Sequence, residues 1–383
     1  MRRVLASALH PAGARSYASH HLDATLSLLL EVVSNPDSFM ETIDAAIGTF
    51  TVRLAYGYSP KSQKDSILAM VHDAVRYVAI SSENHRLVSD FPILKHIPGW
   101  FPGAEFQKIG QKGYKSRTRY ADTLFDMRQG HIEQPSYVSG LLESKGGANA
   151  NSDDTYLIKW TGASIFTAGS TMISSLIKSF FLMACLYPEA MKKAQAEIDS
   201  VVGREWIPSL QDKPALPYTD ALVQEVMRMC PPVPLGLSRF TTEDIEFRDY
   251  RIPKGSKINA NIWAILRDPN HFSSPHIFNP SCFLGPKPEL DPRKFIFGFG
   301  RRVCPGLHVA NNSAWITCAG LLSVFDIQPS LHLAAKVASL GGRESEQLYE
   351  WTEQYGMGDP LPFDCDIKPR DSAAVSVLDH SIE

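Results

Sequence analysis

The sequence predicts a mainly α-helical fold with small β-sheets. Three observations carry this. Segments with helix start and stop signals fill most of the chain. Strand-like fragments are confined to residues 236–262. One apolar stretch, 160–187, is interrupted only by Lys178, far longer than a strand. With 383 residues, 44% of them hydrophobic, the chain is long enough for a large core, and we expect a single domain over 1–383.

Residues 1–145 read as helices broken at HPAG (10–13), YSPKS (58–62) and DFPILKHIPGWFPGAEF (90–106). The last stretch has too much proline for a helix interior and fits two readings, a loop or a surface segment that touches a membrane. KGGANANSDD (145–154) is a polar linker, with Asp153 or Asp154 suited to cap the helix that follows. That helix is expected to run to Tyr187. Its segment 160–177 is uncharged but rich in Thr, Ser and Gly, and Lys178 lies inside the apolar pattern. It reads as a helix buried in a protein core, with a membrane span as the lesser alternative.

Pro188 suits the first turn of the next helix, which stops at Gly203. Residues 216–232 form another, ended by Pro231-Pro232. A PKG turn (253–255) precedes the strand-like SKINANI, and 263–303 is mostly irregular, with Asp-Pro, Asn-Pro and Gly-Pro breaks. After Gly306 the pattern turns helical again.

Charge is nearly balanced, 38 basic against 41 acidic residues, so nothing favours nucleic acid as a partner. The six cysteines are scattered and form no C-x-x-C pair. That argues against a zinc ribbon, an iron–sulfur cluster or a disulfide framework.

One cysteine stands apart. In Phe297-Gly298-Phe299-Gly300-Arg301-Arg302-Val303-Cys304-Pro305-Gly306, a thiol sits in a glycine-rich turn just before a helix. Turn amides and the helix dipole favour its thiolate. Glycines let the backbone approach a flat cofactor. Arg302 can neutralise a carboxylate and Phe297 can shield the sulfur. Such a thiolate suits the axial position of haem iron.

F-x-x-G-x-R-x-C-x-G resembles the haem-binding signature of the cytochrome P450 family, matched at Phe297, Gly300, Arg302, Cys304 and Gly306. Glu225 and Arg228, three apart on an otherwise apolar helix, resemble the family's E-x-x-R element, which holds the region behind the haem. Arg239 is similar to a propionate-binding arginine, and RIPKG (251–255) to the turn after it. The resemblance runs from about residue 1 to FDCDIKPR (363–370) and is strongest to fungal secondary-metabolism enzymes. It implies a cytochrome P450-like fold, haem b (iron protoporphyrin IX) bound through Cys304, NADPH-cytochrome P450 reductase as electron donor, and an apolar small-molecule substrate. It also implies the cytosolic face of the endoplasmic reticulum membrane, although no transmembrane anchor is read in this chain.

The sequence departs from the pattern in three ways. MRRVLASALHP resembles only the second half of a W-R-x-x-R helix, with Arg2 as its last arginine and a further propionate partner. The fold is therefore expected to lack its N-terminal part, as a short protein, a fragment or a misread gene. Where the family carries an acid and an alcohol in the long helix, this chain has Ala168-Gly169-Ser170-Thr171-Met172. Thr171 becomes the candidate catalytic hydroxyl, and Phe166, Met172 and Ile173 the candidate substrate contacts. Finally, Cys282 stands where an arginine would complete a triad with Glu225 and Arg228. The pair is expected to lack a partner, at about 1–3 kcal/mol.

The leading function is a haem-thiolate monooxygenase placing one oxygen atom from dioxygen in an apolar metabolite, terpenoid or polyketide-like. The alternatives are a peroxide-using or rearranging haem enzyme and an inactive truncated relative.

Overall fold

The computed structural model describes residues 2–60, 62, 65–83, 88, 91–127, 135–341 and 358–380. Helices dominate and the sheets are small, as the sequence predicts. In the first part of the chain are α1 (Arg2–Leu9), α2 (Pro11–Ser16), α3 (Ala18–Ser34), α4 (Phe39–Tyr56), α5 (Ser66–Glu83), α6 (Glu105–Met127) and α7 (Tyr137–Ser144). His10 breaks the first two, its ring Nδ1 accepting from the Ala12 and Gly13 amides. Residues 92–96 of the proline-rich stretch form only a short 3-10 turn.

The long helix α8 (Ser152–Leu186) is the axle of the molecule. Its cap is Asn151, whose side chain accepts from the Asp154 amide at 2.8 Å. The expectation of Asp153 or Asp154 is thus corrected: both lie in the first turn, where their charge favours the helix dipole. By length and composition α8 could cross a membrane, yet 78% of its most apolar window is buried within the protein. It is a core helix.

Beyond it follow α9 (Pro188–Val201) and α10 (Pro217–Met229), each with proline in its first turn. Four short strands make two hairpin pairs, β1 (Arg239–Phe240) with β4 (Lys257–Ile258), and β2 (Ile245–Phe247) with β3 (Tyr250–Ile252). Next come α11 (Ile262–Ile265), α12 (Arg293–Ile296) and α13 (Leu307–Val324). Strand β5 (Phe325–Pro329), helix α14 (Leu331–Ser339), strand β6 (Cys365–Pro369) and helix α15 (Ser372–His380) complete the chain, with β5 and β6 antiparallel.

Two apolar cores share α8. Its C-terminal half, Ile173–Leu186, packs with α3, α10 and α13 around Phe180, Phe181 and Trp315, all fully buried. Side chains of this size each contribute about 1.5–3 kcal/mol on burial. Its N-terminal part, through Ile158, Ala163 and Phe166, packs with α4, α6 and α7. Residues 167–172 lie between the two cores.

Candidate active site

The Cys304 turn connects α12 to α13. Gly298 (φ 76°) and Gly300 (φ 54°) occupy the left-handed region that favours glycine. This lets the chain fold back so that the Cys304 amide donates to the Phe297 carbonyl at 2.7 Å. Gly306 caps α13, two residues after Cys304. The thiol is therefore half-buried beside the positive end of an 18-residue helix, where a thiolate is favoured. A Cβ on Gly306 would stand 3.9 Å from the Cys304 Sγ, while nothing lies within 4 Å of one built on Gly300. Phe297 is half-buried, and Arg302 is exposed.

Behind this turn, α10 packs on both α12 and α13. It carries Glu225, 0% exposed, and Arg228, 1% exposed. The Arg228 Nε donates to Glu225 Oε2 at 2.7 Å and its Nη2 to Oε1 at 2.8 Å. The rest of the guanidinium donates to the carbonyls of Leu266 (3.2 Å), Pro275 (2.6 Å) and Ile277 (3.0 Å). Glu225 Oε1 also accepts the Asn279 amide at 2.7 Å. Glu225 thus accepts one loop amide where a third arginine would donate, and loop carbonyls occupy the rest of the Arg228 guanidinium. Cys282 lies close to this carboxylate. Burial, then Glu225 and Glu289, raise its thiol well above the usual range, so it is a neutral neighbour.

Along α8, residues 167–172 form an opening in its burial: Ala168 is exposed, and Thr167 and Gly169–Met172 are half-buried, as are Ser164 and Ile165 before them. At Gly169 a Cβ would come within 2.9 Å of Thr51 Cγ2, so glycine lets α4 cross close to α8. Thr171 Oγ1 donates to the Thr167 carbonyl at 2.9 Å and Ser170 Oγ to the Phe166 carbonyl at 2.8 Å. Both oxygens keep lone pairs for a donor in the opening. Of the three expected substrate contacts, only Met172 faces it. Phe166 and Ile173 are packed in the two cores, because helix periodicity turns them away from the opening.

Arg239 lies exposed on β1, opposite Ile258. Arg2 begins α1, but its side chain lies outside the described residues.

Two features were not read from sequence. The Tyr120 hydroxyl meets Thr167 Oγ1 at 2.6 Å, tying α6 to the turn before Thr171. Lys178 donates to Asp44 at 2.8 Å and lies 3.7 Å from Asp359. A lysine in an apolar helix signals a carboxylate partner, but the sequence does not say which one.

The donor set suits a haem: a half-buried thiol at a helix N-terminus for the iron, and exposed guanidiniums on Arg302 and Arg239 for carboxylates. Among the described residues no cluster of three or more His, Cys, Asp or Glu could hold a separate metal ion.

Comparison with known proteins bears on the family and the fold. The family model described as Cytochrome P450 matches residues 39–334. Cytochrome P450 monooxygenase 208 of Postia placenta is 38% identical over 379 residues, 96% of this chain and 71% of that protein. Cytochrome P450 monooxygenase claR of Ampulloclitocybe clavipes is 32% identical, across 92% of this chain and 65% of its own length. The O-methylsterigmatocystin oxidoreductase of Aspergillus flavus is 36% identical, across 93% and 66%. The chain thus spans about two thirds to three quarters of such relatives. In fold it is similar to a zebra fish cytochrome P450 solved with abiraterone, with TM-score 0.71 at 22% identity, covering 97% of this chain and 81% of that one.

Proposed function

The chain belongs to the cytochrome P450 family, and on that premise we propose that it is a haem-thiolate monooxygenase acting on an apolar small molecule. The observation that carries this is the Cys304 turn: one half-buried thiol at a helix N-terminus, in a glycine loop closed by its own amide. Cys304 would hold the iron of haem b. Arg302 and Arg239, and Arg2 by resemblance, would neutralise the propionates. Phe297 would keep water from the sulfur, while Gly300 and Gly306 let the backbone lie close. When bound, haem supplies dioxygen activation and oxygen insertion. The chain's own part is to orient and to move protons. Thr171 and Ser170 hold hydroxyls over the opening in α8, where each can accept a bond from a water and position it. Met172 offers an apolar contact to substrate.

The electron donor in this reading is NADPH-cytochrome P450 reductase. A fungal secondary metabolite, terpenoid or polyketide-like, is the substrate class, supported by a relative named for O-methylsterigmatocystin. The working place is the cytosolic face of the endoplasmic reticulum. Peripheral membrane contact there is supported by Phe91, Ile93, Trp100 and Phe101, which are 49% to 81% exposed.

A second reading, oxygen insertion driven by peroxide, is favoured by one observation. Residues 167–172 carry hydroxyls at Thr167, Ser170 and Thr171 but no carboxylate. The haem-loaded protein should be supplied with reductase, NADPH and labelled dioxygen over a panel of apolar metabolites. Label in a product, dependent on reductase, is the expected result. Product formed only with peroxide establishes the second reading. No product by either route, from protein with stoichiometric haem, overturns both.

A further inference from the structure

Two cysteines that are far apart in sequence meet in the fold. Cys185 lies in the last turn of α8 and is 4% exposed. Cys365 opens β6, where it is paired with Pro329 of β5, and it is half-buried. Both belong to the apolar cluster that holds Phe325, Ile327 and Ile367 of that strand pair. The Cys185 thiol is hydrogen-bonded to Cys365. That bond, and then burial, hold the Cys185 thiol well above the usual range, so it is neutral in the folded chain. The other four cysteines are placed differently. Cys230 and Cys318 are buried, Cys282 lies close to Glu225 and Glu289, and Cys304 occupies its turn.

Two thiols in direct contact need little backbone movement to become covalently joined. Here both backbones are already fixed, one in a helix and the other in a strand with five paired residues, so little further order is lost. Burial separates the two roles. Solvent reaches the half-buried Cys365, while Cys185 is reached through Cys365. This is the arrangement of an attacking thiol and a resolving thiol.

We propose that Cys185 and Cys365 are a reversible redox pair, which a low-molecular-weight disulfide such as glutathione disulfide converts into a covalent bond between α8 and β6. The Cys365 thiolate attacks one glutathione sulfur. A mixed S–S bond forms, the glutathione S–S bond breaks and one glutathione thiolate leaves. The Cys185 sulfur, giving up its proton, then attacks the Cys365 sulfur. The protein S–S bond forms, the mixed bond breaks and the second glutathione thiolate leaves. The two protons lost by the protein thiols end on the two glutathione thiolates. Two protein thiols are thus oxidised by two electrons, and one glutathione disulfide is reduced to two thiols. The product staples the end of the axle helix to the β5–β6 pair, where packing alone joins them in the reduced chain. Excess reduced glutathione reverses it, as for a redox-sensing disulfide in a thiol-keeping compartment.

The test uses the full 383-residue chain, with and without haem, in glutathione buffers from fully reduced to fully oxidised. Free thiols are then alkylated and the protein is digested for mass spectrometry. A peptide joining the Cys185 and Cys365 segments is expected, growing with the oxidised share and lost on return to reduced glutathione. The thermal midpoint of wild type should rise by at least about 2 °C in the oxidised buffer. Cys365→Ser should abolish both the link and the rise, and Cys282→Ser should keep both. Cys185→Ala replaces Cys365→Ser if that variant does not fold. No linked peptide from native protein, a link that forms only after urea unfolding, or a link to another cysteine overturns the proposal. So does a link that reduced glutathione does not open. Equal midpoints with the link formed overturn the staple. None of these readouts needs turnover, so failure here is separate from failure of the proposed activity.

Discussion

The Glu225–Arg228 pair beside the Cys304 turn and the exposed stretches of α8 and the hairpins are built in opposite ways. Glu225 and Arg228 are sealed in α10, and their bonds to one another and to four backbone groups need nothing from outside. Elsewhere, the α8 opening and the hairpins expose hydroxyls, guanidiniums and aromatic rings. The first region is complete in its bonding, and the second leaves polar groups and rings at the surface. An interior of this kind tolerates no broken bond, whereas the exposed side tolerates substitution.

The strongest way to break this contrast is Arg228→Ala. It leaves Glu225 charged in a dry site and strips three loop carbonyls of their donor. It should cost about 3–5 kcal/mol, read as a lowered urea midpoint or loss of soluble protein. A variant as stable as wild type would mean the pair is not what holds the loops.

Next is pH. His21 on α3 is buried, lies tilted over Phe50 with ring centres 4.7 Å apart, and is 2.9 Å through Nδ1 from Ser313 Oγ on α13. Burial, and then the charge of His20, push its pKa down to about 3. The unfolded chain therefore takes up a proton, near the ordinary value of 6.5, that the folded chain refuses. Stability from this group is intact above about 6.5 and is lost as pH falls towards 3, by at most about 1.4 kcal/mol per pH unit. His21→Asn should flatten that acid limb in urea titrations at several pH values. An unchanged slope would show that other groups set it.

The smallest effect belongs to the hairpins. Phe247→Ser removes an exposed ring and should move stability by less than about 0.5 kcal/mol. A loss comparable to a core substitution in thermal unfolding would show that the ring is buried.

How much of this was legible depended on how local the physics was. The Cys304 turn was readable because thiol, glycines and helix start are contiguous. Helix ends at Pro188 and Gly203 were readable for the same reason. The satisfaction of Arg228 was not, because its acceptors at 266, 275 and 277 are carbonyls of an irregular segment with no side-chain signature. Nor was the cap of α8, since Asn151, Asp153 and Asp154 all suit that role until the chain geometry chooses. The division of α8 into two buried parts and an opening depends on which helices cross it, and Thr51 meeting Gly169 is a contact across 118 positions. The exposure of the hairpins was hidden most thoroughly, because Ile245 and Phe247 alternate as half-buried strand residues do.

The central claim, that Cys304 is the ligand of the haem iron, is tested by one spectrum. Wild type and Cys304→Ala are expressed with haem precursor, reduced with dithionite and exposed to carbon monoxide. A strongly red-shifted Soret band in wild type, absent from the variant, is the predicted result. The same band in both, or no band in folded wild-type protein supplied with haem, would contradict it.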